Sequence, residues 1–273
     1  MTGIFVTGYK GNIGSRLINL GYEPLECDVT NETSVSRAIS KDKPKVIIHL
    51  AGISDVDFCQ DEKNKEKVIQ TNFRGSGNVF KYAAMYGAKV IYISSDHVFD
   101  GRWFGNYSEK SSMNPKNYYG VSKVYVEALS EAYNNVNIIR TSTLFWGNRP
   151  MIQNPMISIS SGKEVNSPVF MLRSFMHIDH FVTQLQDYCL RIDTMPKFLH
   201  LSGSKTVSWY KFIHAYATYN SLDTSNLKPR YWDIANGKVA PRPHRAGLNT
   251  SLSKKYGFDQ FDYLDGIRYA IQL

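Results

Sequence analysis

The sequence predicts an α/β fold built on a doubly wound parallel sheet, with a smaller C-terminal lobe. Apolar runs that fit buried strands alternate with amphipathic helical segments through the first half of the chain. Polar residues follow several of these runs directly, which is typical where ligands bind at the carboxyl ends of parallel strands. After about residue 148 the alternation weakens, and Pro, Asn and Ser become frequent. Strands that alternate with crossover helices in this way form a parallel sheet.

The elements of the first half follow in order from these patterns. Each strand is a short apolar run, and each helix carries apolar residues three and four positions apart. Gly21 and Pro44 end the first two helices, since neither residue continues a helix well. The predicted strands cover 3–8, 22–29, 45–52, 89–95 and 136–142. The predicted helices cover 12–21, 32–44, 61–87 and 118–134.

The second half predicts one or two βα elements that return to the sheet, together with a lobe that would cover a substrate. Helical patterns recur at 178–193, 207–219 and 262–272. We therefore expect a sheet domain over 1–148, with returning elements near 178–202. Most of 149–273 is expected to form the smaller, substrate-binding lobe.

The chain is basic, with a formal net charge of +8. Residues 202–273 contain 10 Lys and Arg against 5 Asp and Glu, so most of the excess lies there. These residues form either a solvated basic surface or a site for an anionic ligand such as a nucleotide diphosphate. They are scattered rather than aligned along one helix, and no nucleic-acid recognition motif accompanies them. We therefore expect no nucleic-acid partner.

Cysteine content and hydropathy indicate a cytoplasmic protein. Cys27, Cys59 and Cys189 are an odd number of cysteines at wide spacings, which disfavours a disulfide framework and a zinc site. No apolar run approaches the ~20 residues of a membrane helix, and the N-terminus lacks a signal-peptide pattern. We expect neither a metal nor a membrane partner, and a homodimer stays open.

The glycines of "VTGYKGNIG" predict a Rossmann-type cofactor turn. Gly8 would permit the tight turn after the first strand, and Gly14 would let the first helix pack closely on that strand. Gly11 would let the backbone approach a pyrophosphate at the N-terminus of this helix, where amides favour an anion. A flexible turn is the plain alternative. We therefore predict a nicotinamide dinucleotide bound by this turn, and its neighbours in the predicted site are Lys10, Asn12 and Ile13.

The residue that selects between NAD(H) and NADP(H) is less clear. An acid near the end of the second strand would bind the ribose hydroxyls and favour NAD(H). Asp28 lies 20 residues after Gly8, as this role requires, but it belongs to "CDVTN", which could instead lie beside the adenine. Lys10 and Arg16 flank the glycine turn and could meet a 2′-phosphate. All three charges could equally be solvated, and we predict NADP(H) over NAD(H) by a small margin.

The segment "NYYGVSK" places Tyr119 and Lys123 four residues apart, on one face of a helix. A chain this rich in Tyr and Lys contains such a pair about once by chance, so the position of the pair carries the inference. It follows the strand "KVIYISS", 24 residues past Ser95. An ammonium group favours a phenolate and would lower the pKa of Tyr119. Tyr119 could then exchange a proton with a carbonyl or alcohol while Ser95 binds the same oxygen.

The segment "SSDHVFDG" ends a buried strand with polar residues. A metal site from Asp96, His97 and Asp100 is disfavoured, because their spacing matches no ligand motif. Hydrolysis by Ser95 is disfavoured because the surrounding sequence lacks a nucleophile elbow. A strand that ends in a cofactor cleft fits best.

Together these residues resemble the extended short-chain dehydrogenase/reductases and, within them, the dTDP-4-dehydrorhamnose reductase family. The resemblance spans nearly the whole chain, and "SSDHVFDG" with the following Tyr-x-x-x-Lys is its most specific part. The family commonly has an aromatic residue where this chain has His97. The other matching segments are the glycine turn, "CDVTN", "HLAG", "TNFRGSGNV", "IIRTS", "LHLSGSKTVSWYKF" and "PRPHRAGLNTSLSKKYGF".

The resemblance implies a reductase that transfers hydride from NAD(P)H to a 4-keto-6-deoxy nucleotide sugar. Ser95 would bind the carbonyl, Tyr119 would donate the proton, and Lys123 would tune Tyr119 and hold the nicotinamide ribose. The cofactor site would also include Val29, Leu50, Ala51 and Gly52. The substrate site would include Ser95, His97, Val98 and, near the diphosphate, Arg242.

Three relatives of this activity stay as alternatives. Nucleotide-sugar dehydratases carry Asp-Glu after the strand-end hydroxyl, whereas this chain has Asp96 and His97. Epimerase/reductases commonly carry Cys directly after the hydroxyl, where this chain has Asp96, although His97 or His177 could serve as their base. The third alternative is a non-catalytic regulatory subunit that keeps the fold and the cofactor, like the beta subunit of methionine adenosyltransferase.

Overall fold

The computed structural model describes residues 3–102, 106–231 and 240–272. Within them the chain forms two compact units. Unit 1 comprises Met1–Val98, Met113–Arg140 and Leu185–Leu199, and unit 2 comprises Phe99–Ser112, Thr141–Gln184 and His200–Leu273. The domain boundaries expected from the sequence stay a prediction.

The helices and strands are short. The strands are β1 (Ile4–Thr7), β2 (Glu23–Pro24), β3 (Val46–His49), β4 (Lys89–Ser95), β5 (Val136–Thr141), β6 (Leu144–Phe145), β7 (Val165–Pro168), β8 (Leu172–Arg173), β9 (Met176–His177), β10 (Phe198–His200), β11 (Val207–Ser208) and β12 (Leu227–Arg230). The α-helices are α1 (Asn12–Asn19), α2 (Glu32–Asp42), α3 (Val56–Gln60), α4 (Lys65–Val68), α5 (Gly75–Met85), α6 (Tyr118–Ser130), α7 (Pro150–Ser160), α8 (Ile178–Leu190), α9 (Trp209–Tyr219), α10 (Ser251–Lys255) and α11 (Tyr263–Gln272).

A six-stranded parallel sheet organises unit 1, in the order β10-β5-β4-β3-β1-β2. Strands β1, β3 and β4 are buried along their length, apart from half-buried Lys89 at the start of β4, as strands covered by helices on both faces must be. The chain order reverses between β1 and β3, which is the switch point where ligands bind in such sheets. The predicted doubly wound α/β fold is therefore confirmed.

Each unit has its own hydrophobic core. In unit 1 the core side chains come from the sheet and from α2, α5 and α6, among them Ile47, Phe80 and Tyr92. In unit 2 the core is rich in aromatic residues, and Phe175 stacks on Phe212 with ring centroids 4.1 Å apart. No helix in the described ranges is long and apolar enough to span a membrane.

The predicted helix at 61–87 is interrupted in the structure. The segment from Val56 onward forms α3, a 3₁₀ turn (Glu62–Asn64), α4, a π-helical turn (Ile69–Arg74) and then α5. Buried Asn72 lies in the π turn, and its side chain pairs with both backbone groups of Ile53. The Ser76 hydroxyl donates a hydrogen bond to the Asn72 carbonyl oxygen at 2.5 Å. These local bonds compete with the regular helical ladder, which accounts for the break.

Two further elements differ from the predictions. The second predicted strand, 22–29, is reduced to Glu23–Pro24 at the edge of the sheet, and the next residue, Leu25, still donates its amide to the Val6 carbonyl oxygen at 2.9 Å. Helix α7 lies in the segment after residue 148 that is rich in Pro, Asn and Ser, where no helix was predicted. Pro150 occupies the first turn of α7, where its missing N–H is tolerated, and Pro155 lies inside the helix.

Gly14→Ala is expected to destabilise the protein by about 1–3 kcal/mol, because overpacking of a closed contact carries that cost. A Cβ at Gly14 would lie 2.5 Å from the Gly8 carbonyl oxygen and 2.6 Å from Tyr9 Cα. Gly77→Ala is the matched control, since its Cβ meets only Leu129 Cδ2 at 3.4 Å and Ala favours a helix. Urea unfolding midpoints measure both variants, and equal stability of the two would contradict this account.

Candidate active site

The site begins where β4 ends, between β3 and β5 in the sheet. Ser94 and Ser95 are the last residues of β4, and Asp96–Val98 continue as a 3₁₀ turn. Ser95 is buried, and its hydroxyl donates to Asp96 Oδ1 at 3.0 Å and accepts from the His97 amide at 3.2 Å. It also lies close enough to Tyr119 to lower the pKa of that phenol. The strand end therefore presents a hydroxyl whose orientation is fixed by Asp96 and the His97 amide.

Helix α6 brings Tyr119 and Lys123 to this strand end. The Asn117 side chain caps the helix by accepting a hydrogen bond from the Gly120 amide at 2.9 Å. A Cβ at Gly120 would lie 2.2 Å from the His97 carbonyl oxygen, so only glycine allows the helix to approach the turn this closely. The structure thus brings Ser95, Tyr119 and Lys123 together in unit 1.

Lys123 is buried, and its ammonium donates to Tyr92 Oη at 2.8 Å and to the Ile93 carbonyl oxygen at 2.9 Å. Its Nζ lies 5.7 Å from the centre of the Tyr119 ring. Burial lowers the pKa of Lys123 to about 8, while the charge of Glu127 opposes this change. The group is therefore charged at neutral pH, but with little margin.

Tyr119 does not have the lowered pKa that its spacing from Lys123 predicts. Burial raises the pKa of Tyr119 above its usual value, and the hydrogen bond with Ser95 opposes this only in part. The negative charge of Asp96 raises it further. The expectation of a lowered pKa is wrong, because desolvation of the phenolate is the largest influence on this group.

A buried ion pair anchors α6 to the sheet. Arg140 on β5 donates to both carboxylate oxygens of Glu127, with the shorter contact at 2.6 Å. The Ser94 hydroxyl donates to Glu127 Oε1 at 2.5 Å. Glu127 lies one turn after Lys123, so this network fixes both the position of α6 and a negative charge near the ammonium.

His97 lies beside Tyr119, and the two rings meet edge to face with their centroids 5.5 Å apart. Asn117 Nδ2 donates to His97 Nδ1 at 2.9 Å, which holds the ring in place. Val98 is fully buried, and its carbonyl accepts from the Asn114 amide at 2.9 Å. Arg242 belongs to unit 2, where its Nη1 donates to the Ala240 carbonyl oxygen at 2.6 Å. The predicted substrate contacts of His97, Val98 and Arg242 stay predictions.

The glycine turn has the geometry expected from its sequence. Gly8 has a φ of +65°, and a Cβ there would lie 2.6 Å from the Ala51 amide nitrogen. The Gly11 amide donates to the Gly8 carbonyl oxygen at 3.0 Å and precedes α1, which begins at Asn12. The turn is therefore tightly closed, and a side chain at Gly8 or Gly14 would clash with neighbouring backbone atoms.

The predicted cofactor residues on the neighbouring strand end lie next to this turn. The amides of Leu50 and Ala51 both donate to Thr7 Oγ1 at 3.2 Å. A Cβ at Gly52 would lie 3.2 Å from Asn72 Oδ1. Ile13 is half-buried in the first turn of α1, and Val29 is buried in the core of unit 1.

Of the charged candidates for cofactor selection, Lys10 and Asp28 are exposed, whereas Arg16 is half-buried and donates to the Asn12 carbonyl oxygen at 2.9 Å. Asp28 Oδ1 accepts from the amide of Thr30 at 2.9 Å and from its hydroxyl at 2.7 Å, so this carboxylate stabilises its own loop. Lys10 lies over the ring of Tyr9, with Nζ 5.6 Å from the ring centre. Tyr9 Oη donates to Glu26 Oε1 at 3.5 Å, which brings a second acid close to the glycine turn.

Among residues 3–102, 106–231 and 240–272, the structure contains no group of three or more His, Cys, Asp or Glu side chains that could hold a metal ion. The polar groups that the strand end does present are the Ser95 hydroxyl, the Tyr119 phenol and the Lys123 ammonium.

The sequence matches the family described as the RmlD substrate binding domain over residues 1–272. The chain belongs to this family. The dTDP-4-dehydrorhamnose reductase of Aggregatibacter actinomycetemcomitans is 29% identical over 288 residues, which cover 96% of this chain and 96% of that protein. The bovine methionine adenosyltransferase 2 subunit beta is 29% identical over 247 residues, which cover 86% of this chain and 72% of that protein.

A crystal structure of dTDP-4-dehydrorhamnose reductase from Bacillus anthracis in complex with NADP has the same fold. Its TM-score is 0.87 at 24% sequence identity, and the match covers 98% of each chain. Membership of the RmlD family confirms the resemblance seen in the sequence.

Four residues of the candidate site were not predicted from the sequence. They are Asn72, Asn117, Glu127 and Arg140. Asn72 and Arg140 lie in the quoted segments "TNFRGSGNV" and "IIRTS", where buried polar residues inside otherwise apolar elements were the available clue. Asn117 directly precedes the Tyr-Tyr pair, as a helix cap does. The partner of Glu127 lies 13 residues away, on another element, and no periodicity indicates it.

Lys123→Met is expected to stabilise the protein at neutral pH, and the gain should disappear at alkaline pH. Burial lowers the pKa of Lys123 from 10.5 to about 8, so between these values the unfolded chain binds a proton that the folded chain does not. The free energy of unfolding of the wild type then gains about 3 kcal/mol across this window as pH rises. The Met variant lacks this contribution.

Urea titrations at several pH values measure the difference between the two proteins. Lys254→Met, at an exposed position on α10, is the control and should keep a constant difference from wild type. A constant difference for Lys123→Met as well would show that the Lys123 ammonium is not desolvated in the folded state.

Proposed function

We propose that this protein is an NAD(P)H-dependent reductase of a 4-keto-6-deoxy nucleotide sugar in deoxysugar biosynthesis. The observation that carries the proposal is the convergence of Ser95, Tyr119 and buried Lys123 at the carboxyl end of β4. The relative named dTDP-4-dehydrorhamnose reductase supports the same chemistry. The nucleotide sugar would be the substrate.

The residues of the glycine turn fit a nicotinamide dinucleotide. Gly8 and Gly14 let the backbone of the turn pack closely against Ala51 and Tyr9, and Gly11 precedes the first amides of α1. These amides would hold the pyrophosphate, Ala51 and Gly52 would line the cofactor, and Lys123 would hold the nicotinamide ribose. The bound nicotinamide supplies the hydride. We propose NADP(H) with a slight preference over NAD(H).

Ser95 and Tyr119 would act on the oxygen of the substrate carbonyl. Because burial raises the pKa of Tyr119, its phenol carries a proton at neutral pH and can donate it as the alcohol forms. The Ser95 hydroxyl would bind the same oxygen and orient it. The Lys123 ammonium would stabilise the phenolate that Tyr119 leaves after donation, when that charge is present.

A second candidate function follows from the relative that is a regulatory subunit. The bovine methionine adenosyltransferase 2 subunit beta is as similar to this chain in percentage identity as the reductase is. A protein with this role would bind the cofactor without turning over a sugar. We place it second because Ser95, Tyr119 and Lys123 are all present and correctly grouped.

Cofactor oxidation with a panel of 4-keto-6-deoxy sugars linked to dTDP, UDP or GDP tests the proposal. Loss of NADPH or NADH absorbance with one nucleotide sugar, at a rate well above that without substrate, is the expected result. If both cofactors bind but neither is oxidised with any sugar of the panel, the reductase proposal fails and the regulatory function takes its place.

Tyr119→Phe is expected to lower kcat by about a hundredfold or more, because it removes the proton donor but not the ring. Cofactor affinity should stay within about threefold of wild type, since the contacts of the glycine turn are unchanged. Tyr118→Phe is the matched control, because Tyr118 begins the same helix and packs near Lys65 instead of Ser95. Steady-state kinetics and NADPH fluorescence titrations measure both variants. Near-native turnover of Tyr119→Phe would remove Tyr119 from the mechanism.

A further inference from the structure

A chain of buried polar side chains runs beneath the candidate active site in unit 1. Its members come from five different elements, and all of them are buried in the structure. The proposed reaction uses only the last of them. In order, they are Thr7 on β1, His49 on β3, Ser76 on α5, Tyr92 on β4 and Lys123 on α6.

Counting donors and acceptors assigns the direction of the hydrogen bonds around His49. Thr7 Oγ1 accepts from the amides of Leu50 and Ala51, so its own proton is donated to His49 Nδ1 at 2.7 Å. His49 Nε2 therefore carries the ring proton and donates to Ser76 Oγ at 3.0 Å. Burial lowers the pKa of His49 to about 3, so the ring is neutral and this arrangement holds across the working pH range.

Tyr92 connects this arrangement to Lys123. Its hydroxyl accepts a hydrogen bond from the Lys123 ammonium at 2.8 Å, and the Ser76 hydroxyl lies close enough to influence the pKa of Tyr92. Burial raises the pKa of Tyr92, so its phenol stays protonated and has one proton to donate. Since the ammonium can only donate, the Tyr92 proton is directed to Ser76, and its lone pair faces Lys123.

We propose that Tyr92 is a positioning residue for Lys123, whose charged form it holds in place under Tyr119 through a hydroxyl oriented by Ser76 and His49. This inference rests on the proposed role of Lys123 at the cofactor ribose. The inference assigns a function to Tyr92 on β4. In the described part of the chain, Tyr92 has no hydrogen bond to the glycine turn or to Tyr119.

The surroundings of Lys123 show why Tyr92 is the group to test. The titratable groups that face the ammonium are Tyr119 and Glu127 on α6, Cys59 on α3, His49 on β3 and Tyr92 on β4. The charges of Glu127 and of ionised Cys59 raise the pKa of Lys123. Neither side chain is hydrogen-bonded to Lys123 Nζ among the contacts of the described residues. The Ile93 carbonyl is a direct acceptor, but it belongs to the backbone. A substitution of Tyr92 is therefore the most direct way to change the pKa of the Lys123 ammonium.

Tyr92→Phe keeps the ring in the core and removes the acceptor. The Lys123 ammonium should then lose its proton at lower pH, because a hydrogen bond to the charged form favours that form. NADPH binding should weaken on the alkaline side at a pH about one unit lower than in the wild type. Fluorescence titration of NADPH across a series of pH values measures this shift and needs no sugar substrate.

Tyr188→Phe is the matched control. Tyr188 is also fully buried in unit 1, and its hydroxyl donates to the Pro196 carbonyl oxygen at 3.1 Å, away from Lys123. It should lose stability to a similar degree without moving the alkaline limit of NADPH binding. Ser76→Ala removes the group that orients Tyr92 and should move the limit in the same direction by a smaller amount, which keeps the proposal testable if Tyr92→Phe does not fold.

An alkaline limit that stays in place in both Tyr92→Phe and Ser76→Ala would overturn the proposal and leave Tyr92 a packing residue. The proposed function is tested separately, since it concerns turnover with sugar nucleotides. If Tyr92→Phe shifts the alkaline limit of NADPH binding but the wild type oxidises no cofactor, the role of Tyr92 toward Lys123 stands. The proposed reductase activity is then rejected.

Discussion

The burial of the Lys123 ammonium is the constraint on which the rest of the site depends. A buried ammonium without partners costs several kcal/mol, so the fold has to supply them. Tyr92 Oη and the Ile93 carbonyl accept its hydrogen bonds, and Glu127 supplies a nearby negative charge. Glu127 in turn needs Arg140. The requirement of one buried cation therefore ties α6 to the neighbouring strands β4 and β5.

The carboxyl ends of neighbouring strands bring the glycine turn and Ser95 to the same edge of the sheet. Thr7 is the last residue of β1. Its hydroxyl accepts hydrogen bonds from the two amides that follow β3 and donates one to His49 Nδ1. The Gly8 turn comes directly after Thr7, and Ser95 ends the strand on the other side of β3. Because parallel strands end at one edge, a hydride donor at the turn and a hydroxyl at Ser95 would meet there. The proposed reaction follows from this arrangement, and it does not require a loop to carry the chemistry.

The strands and the principal site residues could be predicted because they leave local traces in the sequence. The runs that became β1, β3 and β4 are apolar and short, and the Tyr119–Lys123 pair lies at helical spacing after one of them. Long-range pairing leaves no such trace. The Glu127–Arg140 pair, the insertion of Asn72 against Ile53 and the break in the predicted 61–87 helix depend on contacts between different elements. The pKa of Tyr119 was predicted in the wrong direction for a related reason, since spacing indicates the nearby ammonium but not the depth of burial.

Transfer of deuterium from the cofactor to the sugar tests the central claim most directly. NADPH labelled with deuterium at the reactive C4 position of the nicotinamide would be incubated with the protein and the 4-keto-6-deoxy sugar nucleotide that supports cofactor oxidation. Mass spectrometry and proton NMR would then locate the label. The account predicts one deuterium at C4 of the sugar, where the carbonyl was, and none at C3 or C5. A product without deuterium, or with exchange only at the carbons beside the carbonyl, would contradict it.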